Sequence, residues 1–269
     1  MFHPNSHPLE RGWVGRIEDE RVLHLAAQTL QSFFTGGSRA REHDEYRLEE
    51  VTLLAPVLHP PSVRDFSAFE AHATSTARVL GRAVPREWHR TPAFYFSSPS
   101  AICGPDQEIR YPEGTEQLDY ELEVAAIVGA EGRIGGFTIM NDWSARDLQL
   151  QEMRVGLGPA KGKDFATSLG PVVVTPDEFP GTGAEMVARV NGEERSRGNL
   201  RDLYWSWEQI LAHAARNTVL RPGDVIGSGA VGTGCILEHG DGRWLRPGDI
   251  VELEVEGIGV LRNTVGARR

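Results

Sequence analysis

Acidic side chains occupy alternate positions in one stretch of the sequence, at Asp119, Glu121 and Glu123. If this stretch is a β-strand, alternate residues point to the same face and the three carboxylates project together. Carboxylates that are buried together repel one another, and each unpaired buried charge is costly. A hard divalent cation would remove both costs, and oxygen ligands suit Mg²⁺, Mn²⁺ or Ca²⁺. The spacing therefore predicts a divalent-metal site.

The alternative for this stretch is a solvated strand whose acids face water. Residues 125–128, which follow directly, are continuously apolar, and this is typical of a strand buried on both faces. Burial favours the metal site. Asp119 is nearest the end of the predicted strand. A further acid, Asp142, stands where a strand gives way to a helix, and it could serve there as a ligand or as a helix N-cap.

A glycine-rich, basic segment covers residues 156–164. It lacks the spacing of a phosphate-binding loop, because Leu157 stands five residues before Gly162 and Asp164 replaces the expected Ser or Thr. A nucleotide site is therefore excluded there. Lys163 can instead neutralise an enolate or a carboxylate, although an exposed surface lysine fits the sequence as well.

His72 lies in a helix predicted over residues 67–80, seven residues after Asp65. A histidine among alanines and threonines can act as a general base, and Asp65 could orient it or join the metal site. The alternative is a structural histidine, since the sequence contains nine in all. The sequence contains no Gly-x-Ser-x-Gly segment, which argues against a serine hydrolase of that type.

The composition excludes several classes of protein. The chain has 269 residues and a formal net charge of −10, from 28 Lys and Arg against 38 Asp and Glu. A general nucleic-acid-binding protein carries the opposite excess, so no nucleic-acid partner is expected. The apolar runs are too short to cross a bilayer, and the N-terminus has no apolar core like that of a signal peptide. No membrane partner, a cytoplasmic location and free thiols at Cys103 and Cys235 are therefore expected.

The element pattern predicts an α+β chain dominated by a mixed or antiparallel sheet. A small N-terminal module is expected over residues 1–55 and a catalytic domain over residues 56–269. The apolar spacing predicts a helix-like segment over residues 17–34, and Ser144 and Asp147 fit a capping box that opens a helix ending near Met153. Strands are expected over residues 118–128, 137–140, 171–175, 186–191, 249–255 and 259–264, and a further helix over 204–217.

Three segments carry a resemblance to a known family. They are residues 140–149 (Met-Asn-Asp-Trp-Ser-Ala-Arg-Asp-Leu-Gln), residues 119–123 (Asp-Tyr-Glu-Leu-Glu) and residues 162–167 (Gly-Lys-Asp-Phe-Ala-Thr). Together they resemble the fumarylacetoacetate hydrolase superfamily from about residue 61 to the C-terminus. The resemblance implies a mixed β-roll or barrel-like catalytic domain behind a small N-terminal module, and assembly as a homodimer.

The family pattern also implies a role for individual residues. It implies four oxygen ligands for the metal, which are Asp65, Glu121, Glu123 and Asp142. It implies that three residues hold substrate oxygens, which are Lys163, Gln149 and Thr167. His72 would activate water, and Glu238 resembles the acid that orients this histidine.

Members of this superfamily act on 2-oxo acids and 1,3-dicarbonyl compounds. We expect a divalent-metal-dependent hydrolase that cleaves a C–C bond of a 1,3-dicarbonyl or acylpyruvate-type 2-oxo acid, through water activated by His72 and an enolate held by the metal. The alternatives are a decarboxylase, hydratase or isomerase on the same metal site, or an inactive metal-binding protein. Ser67, Met153 and Arg154 stand where the namesake enzyme has other residues, which indicates a substrate other than fumarylacetoacetate.

Overall fold

The N-terminal part of the chain is built of short strands around one helix. The structure is a computed structural model that describes residues 1–268. The elements are β1 (Phe2–Pro4), β2 (Gly15–Glu18), β3 (Arg21–Leu25), α1 (Leu30–Thr35), β4 (Glu42–Arg47) and β5 (Val51–Leu53). Strands β2, β3 and β4 form an antiparallel sheet, and β1 pairs with β5. Phe2, Val22 and Val51 form a small apolar core among these strands.

Residues 54–268 contain fourteen strands and four α-helices. In chain order they are β6 (Val63–Phe66), α2 (Glu70–Val79), β7 (Phe94–Ser97), β8 (Ile102–Cys103), β9 (Glu108–Ile109), β10 (Leu118–Asp119), β11 (Leu122–Val128), β12 (Ile134–Asp142), β13 (Ser144–Ala145), α3 (Arg146–Met153), β14 (Thr167–Val174), β15 (Glu185–Val190), β16 (Glu193–Asn199), α4 (Trp207–Ala215), β17 (Val225–Gly227), α5 (Ile236–His239), β18 (Ile250–Val255) and β19 (Gly259–Val265).

Two sheets pack against each other in this part of the chain. The larger has seven strands in the order β7-β6-β17-β11-β12-β14-β8, and the second has five in the order β16-β15-β18-β19-β9. Most neighbouring strands are antiparallel, but the pairs β6–β17, β8–β14 and β9–β19 are parallel. Val124 and Ile139 of the larger sheet share one buried core with Met186 and Leu253 of the second. The expected α+β fold with a mixed sheet is confirmed.

Strand β11 lies at the centre of the larger sheet and is buried along its whole length. Val124 and its even-numbered neighbours face the core between the two sheets. Ala125 and Ile127 face the other way, where they join a second core that includes Phe34 of α1. The prediction of a strand buried on both faces is therefore confirmed, and an acid in this strand has no access to a solvated surface.

The predicted helix-like segment over residues 17–34 is wrong in its first part. Residues 21–25 form strand β3, which pairs with β2 on one side and β4 on the other. The helix begins only at Leu30, where the Thr29 side chain accepts a hydrogen bond from the backbone N–H of Ser32. Pairing with two neighbouring strands satisfies the backbone groups of β3, and this outweighs the helical spacing of the leucines.

The predicted capping box at α3 is also wrong. Ala145 occupies the N-cap position and makes no side-chain cap, while Ser144 lies in β13. The Asp147 carboxylate accepts hydrogen bonds from the hydroxyl of Thr115 and the backbone N–H of Glu116, so it ties the helix to the preceding loop. The helix itself ends at Met153, as predicted.

Two Arg-Pro-Gly-Asp turns lead into β17 and β18. In each turn the aspartate carboxylate accepts a hydrogen bond of 2.7 Å from the arginine backbone N–H, which joins Asp224 to Arg221 and Asp249 to Arg246. Gly223 has a φ of 88°, in the left-handed region that a side chain disfavours. These turns fix where the two strands begin.

Within residues 1–268, no helix is long and apolar enough to span a membrane. Cys103 and Cys235 are both free, as predicted. The described strands of residues 1–53 form their own sheets and do not pair with the later strands. Phe34 of α1 nevertheless packs beneath the larger sheet, so the N-terminal part contributes to the second core.

Candidate active site and metal centre

Four carboxylates converge at one end of the larger sheet. Asp65 lies in β6, Glu123 in β11 and Asp142 at the end of β12, while Glu121 immediately precedes β11. One oxygen from each of the four lies within 4.8 Å of the others. All four side chains are buried. The sheet order β6-β17-β11-β12 brings them together, although up to 77 residues separate Asp65 from Asp142 in the sequence.

Gly227 in β17 leaves the space that this cluster occupies. It pairs with Asp65 on one side and Ala125 on the other. A Cβ atom at Gly227 would lie 2.6 Å from Asp65 Oδ1 and 3.0 Å from Glu123 Oε2. A side chain at this position would therefore displace the carboxylates.

The cluster carries negative charge that the protein does not compensate. Asp65 Oδ1, Glu123 Oε1 and Asp142 Oδ1 are buried and have no hydrogen-bond partner among the described residues. Burial, together with the neighbouring carboxylates, raises the pKa of Asp65 and of Glu123 well above the usual values. Three orphaned oxygens on three different residues point into one site, which fits a bound cation.

Two buried cations face the same cluster from the other side. Lys163 Nζ lies 2.5 Å from Glu121 Oε2 and 2.5 Å from Asp142 Oδ2. Arg146 Nη2 donates to Glu121 Oε1 at 2.8 Å. Burial alone would raise the pKa of Glu121, but Arg146 and Lys163 hold it well below its usual range. Lys163 is buried, so the alternative of an exposed surface lysine is wrong.

These residues fit a hard divalent ion. The donor set is four carboxylates, which is the oxygen-only chemistry that Mg²⁺, Mn²⁺ and Ca²⁺ prefer. Lys163 and Arg146 contribute two positive charges against the four negative ones. A divalent cation would balance the remaining charge and give the orphaned oxygens a partner.

Asp119 lies outside the cluster, so its place in the predicted set of alternate acids is wrong. The strand predicted over residues 118–128 is interrupted at residues 120–121, which separates β10 from β11. Asp119 Oδ2 accepts a 2.8 Å hydrogen bond from Arg146 Nε, and Oδ1 accepts one from the backbone N–H of Ile236. Asp119 therefore anchors Arg146 and the first turn of α5.

His72 faces the cluster from helix α2. Its Nδ1 lies 2.7 Å from Glu238 Oε1, and its Nε2 lies 4.0 Å from Glu121 Oε1. Burial opposes ionisation of Glu238, but the hydrogen bonds from His72, Ser75 and the Thr233 N–H lower its pKa below the usual value. An ionised Glu238 accepts from Nδ1–H, which leaves Nε2 as the free nitrogen on the side of the cluster.

A cavity of about 270 Å³ opens beside these residues. Its polar end includes His72, Lys163 and Gln149, and the Gln149 side-chain oxygen accepts a 3.1 Å hydrogen bond from Arg146. Its lining also includes the apolar side chains of Phe66, Leu80, Phe94 and Leu150. The cavity can therefore take a molecule with an oxygen-rich end and an apolar end.

Thr167 is placed apart from this cavity. It pairs with Asp142 across β14 and β12, and its side chain is fully buried. Its hydroxyl lies 3.4 Å from the Ser97 hydroxyl, and it is not among the residues that line the cavity. A contact between Thr167 and a substrate stays a prediction.

Sequence reasoning missed two residues of the site. Tyr95 in β7 donates its hydroxyl to Asp142 Oδ2, and its ring lies 5.8 Å from Lys163 Nζ. Arg146, the first residue of α3, is buried and paired with Asp119 and Glu121. No signal in the short strand around Tyr95 identifies this residue as part of the site. Arg146 could have been found, because a buried run of acids requires a cation and Arg146 is one of the basic residues that could provide the positive charge.

A larger cleft of about 570 Å³ lies in the N-terminal part, lined by Trp13, His24 and His43 among others. The Trp13 and His24 rings stack there at 4.5 Å. It contains none of the residues of the carboxylate cluster, so the smaller cavity is the candidate active site.

Comparison with known proteins gives one family. Residues 62–266 match the family model described as fumarylacetoacetate (FAA) hydrolase C-terminal. The mitochondrial oxaloacetate tautomerase FAHD2A of Homo sapiens is 32% identical over 230 residues, which are 80% of this chain and 70% of that protein.

Two solved structures show the same fold. A fumarylacetoacetate hydrolase from the psychrophilic Exiguobacterium antarcticum is 30% identical with a TM-score of 0.81, over 99% of this chain and 98% of that one. Fumarylpyruvate hydrolase from Pseudomonas aeruginosa, in complex with Mn²⁺ and pyruvate, is 25% identical with a TM-score of 0.66, over 78% and 91%. This chain belongs to the fumarylacetoacetate hydrolase family.

Proposed function

We propose that the chain is a divalent-metal-dependent hydrolase that cleaves a C–C bond in a 1,3-dicarbonyl or acylpyruvate-type 2-oxo acid. The observation that carries this proposal is the His72–Glu238 pair. The His72 Nδ1 lies 2.7 Å from the buried carboxylate of Glu238, and the His72 Nε2 faces the carboxylate cluster. A histidine held in this way is ready to take a proton from a water molecule next to a metal site.

Asp65, Glu121, Glu123 and Asp142 would hold the ion, and Mg²⁺ or Mn²⁺ suits these ligands, as does Ca²⁺. When bound, the ion acts as a Lewis acid that polarises a carbonyl oxygen. The presence of Mn²⁺ and pyruvate in the Pseudomonas aeruginosa relative supports both the metal and an oxo-acid ligand.

The protein's own residues carry the remaining steps. His72 Nε2 takes a proton from water, and the hydroxide adds to the carbonyl carbon of the acyl group. The bond from this carbon to the next carbon breaks, and the electron pair moves to the neighbouring carbonyl as an enolate. Lys163 neutralises this charge. Return of the proton from His72 to carbon completes the exchange and yields a carboxylic acid and a ketone or 2-oxo acid.

The shape of the cavity supports this class of substrate. Lys163, Arg146 and Gln149 at the polar end can hold the oxygens of an oxo acid. The apolar lining that includes Phe94 and Leu80 suits the acyl group that leaves as the carboxylic acid.

A second candidate function is keto–enol tautomerisation of an oxo acid. The human relative named above is an oxaloacetate tautomerase, and it covers four fifths of this chain. In that reaction His72 would remove a proton from the carbon next to the carbonyl and return it to oxygen, with no bond between carbons broken. Decarboxylation, hydration and other isomerisations would use the same metal site.

A substrate panel with product analysis separates these functions. The protein is incubated with Mg²⁺ or Mn²⁺ and with acylpyruvates or oxaloacetate, in oxygen-labelled or deuterated water. Hydrolysis places one labelled oxygen in the released carboxylic acid, whereas tautomerisation places deuterium on carbon and leaves the carbon skeleton whole. His72→Ala should lower the rate by about 10²–10⁴-fold.

His59→Ala is the matched control, because His59 is exposed and lies outside the cavity. It should keep the parent rate. Normal turnover by His72→Ala would contradict the proposal, and turnover by neither the parent nor the control on any oxo acid would support an inactive metal-binding protein instead.

We also propose a cytoplasmic homodimer. The free thiols of Cys103 and Cys235 support a reducing compartment. A homodimer is the assembly that the family resemblance implies. Light scattering coupled to size-exclusion chromatography would measure the mass in solution.

A further inference from the structure

The Glu238 carboxylate contacts three further groups besides His72. Oε1 lies 2.7 Å from His72 Nδ1 and 3.6 Å from Cys235 Sγ. Oε2 accepts hydrogen bonds from the Ser75 hydroxyl and, at 3.0 Å, from the Thr233 backbone N–H. The Glu238 side chain is only 2% exposed, so water does not compete for these positions. Each oxygen therefore has its own pair of partners.

Ser75 lies three residues after His72 on helix α2, so the two side chains share one face of the helix. The Ser75 hydroxyl is also 3.2 Å from the His72 carbonyl oxygen, but the carboxylate is the stronger acceptor for its single proton. One helix thus presents both the histidine and a hydroxyl that grips the opposite oxygen of the acid that orients it.

The second partner of Oε2 is a backbone group in a short glycine-containing loop. Thr233 has a φ of 66°, the left-handed region, and stands between Gly232 and Gly234. Its N–H aims at Oε2 from the loop that leads into α5. Without Ser75, this N–H would be the only partner of Oε2, and Oε1 would keep His72 and the long 3.6 Å contact with Cys235. The last side-chain torsion of glutamate is broad, so the plane of the carboxylate would then be less tightly fixed.

We propose that Ser75 is a positioning residue that fixes the plane of the Glu238 carboxylate and, through it, the tautomer and direction of the His72 ring. With Ser75 in place, Oε1 stays opposite Nδ1–H, and Nε2 stays directed toward the carboxylate cluster. Without it, Glu238 turns, and His72 can adopt the other tautomer or rotate away. The consequence for catalysis rests on the proposed function above, whereas the effect on the histidine does not.

The test compares Ser75→Ala, Ser75→Thr and the control Thr74→Ala. Thr74 is one residue away on the same helix, is exposed, and loses a hydroxyl of the same kind. Nitrogen-15 spectra of histidine-labelled protein report which ring nitrogen of His72 carries the proton, and the His72 signals are assigned by their loss in His72→Ala. These spectra need neither metal nor substrate.

In Ser75→Ala the His72 signals should show a mixture of tautomers, while Ser75→Thr and Thr74→Ala keep the parent spectrum. On a substrate that the parent turns over, kcat should fall by about 10- to 100-fold in Ser75→Ala, as for other partners that orient a functional histidine. KM should be unchanged, and Ser75→Thr should restore the rate.

Identical His72 spectra in Ser75→Ala and Thr74→Ala would overturn the proposal. If Ser75→Ala changes the His72 tautomer but the parent turns over no oxo acid, the role of Ser75 is supported and the proposed function is contradicted. A loss of activity in Ser75→Ala that Ser75→Thr does not restore, with the parent tautomer retained, would mean that Ser75 has only a structural role.

Discussion

The two buried cations of the site neutralise only part of its carboxylate charge. Both Arg146 and Lys163 contact Glu121, and each also contacts one further acid. Within residues 1–268, Asp65 and Glu123 take part in no ion pair. The site therefore has one side that is balanced by the protein and one side whose charge requires a ligand from outside.

Removing the guanidinium from the balanced side should destabilise the fold. Arg146→Met leaves the buried Asp119 without its cation and leaves Glu121 with Lys163 alone, which costs about 3–5 kcal/mol of the free energy of unfolding. Urea denaturation measures this difference.

Arg243→Met is the control for that measurement. Arg243 forms a two-bond pair with Glu193, and both side chains are more than half exposed. Loss of an exposed pair has little effect on stability. Equal urea midpoints for Arg146→Met and Arg243→Met would show that the buried pair does not stabilise the fold.

Individual residues of the site were predictable to different degrees. The period of two and the apolar run that follows predicted Glu121 and Glu123, because both depend on local geometry. Asp119 obeys the same period, yet the break after β10 turns it toward Arg146, and no local signal marks this break. Asp65 follows only from the family resemblance, since a crossover between distant strands brings it to the cluster.

At the scale of elements, strands that alternate with turns were predicted well, whereas strand β3 of the N-terminal sheet was predicted as part of a helix. Each Arg-Pro-Gly-Asp turn contains both the aspartate that accepts its hydrogen bond and the glycine that its geometry requires, so four consecutive residues specify the turn. In contrast, Leu23 of β3 lies seven residues before Leu30 of α1, a spacing that fits one continuous helix, and only the pairing of β3 with β2 and β4 decides the outcome. The partners of β3 in β4 lie 17 to 26 residues away in the sequence, beyond the window over which a helical spacing is judged.

Helix α1 fastens the N-terminal part beneath the sheet that carries the site. The buried ring of Phe34 packs in one core with Ala125 and Ile127. It also lies close against Gly135 of β12, since a Cβ atom at Gly135 would come within 2.7 Å of the ring. Phe34→Ala should lower the free energy of unfolding by about 3–5 kcal/mol, because it leaves a cavity under β11 and β12.

Phe96→Ala provides the matched comparison for thermal and urea unfolding. The Phe96 ring is 63% exposed. The Arg64 guanidinium lies over the ring, and the ring of Phe94 meets it edge-on. Its loss should cost far less than the loss of Phe34. Similar costs for the two variants would mean that α1 does not brace the sheet.

At the scale of the whole molecule, the charge of the surface and the charge of the site have to be considered separately. The chain carries a net charge of −10, yet the proposed substrates are anions. Lys163 and Arg146 are buried at the polar end of the cavity and give that end a positive contribution. A bound divalent ion would neutralise further carboxylate charge there, which would lower the repulsion between the site and an anionic substrate.

Metal binding should therefore be visible in the stability of the folded protein. A ligand that binds only the folded state stabilises it by RT ln(1 + [L]/Kd), about 2.7 kcal/mol when the free ion is at a hundred times its Kd. Adding Mg²⁺ or Mn²⁺ to chelator-treated protein should raise Tm, and Glu123→Gln should abolish this rise. In the absence of metal, Glu123→Gln should be at least as stable as the parent. Burial and the neighbouring carboxylates raise the pKa of Glu123, so burying this group at neutral pH costs free energy that an amide does not cost. Glu113→Gln, at an exposed position, should keep the full rise. A Glu123→Gln protein whose Tm still rises with metal as the parent's does would show that Glu123 is not a ligand.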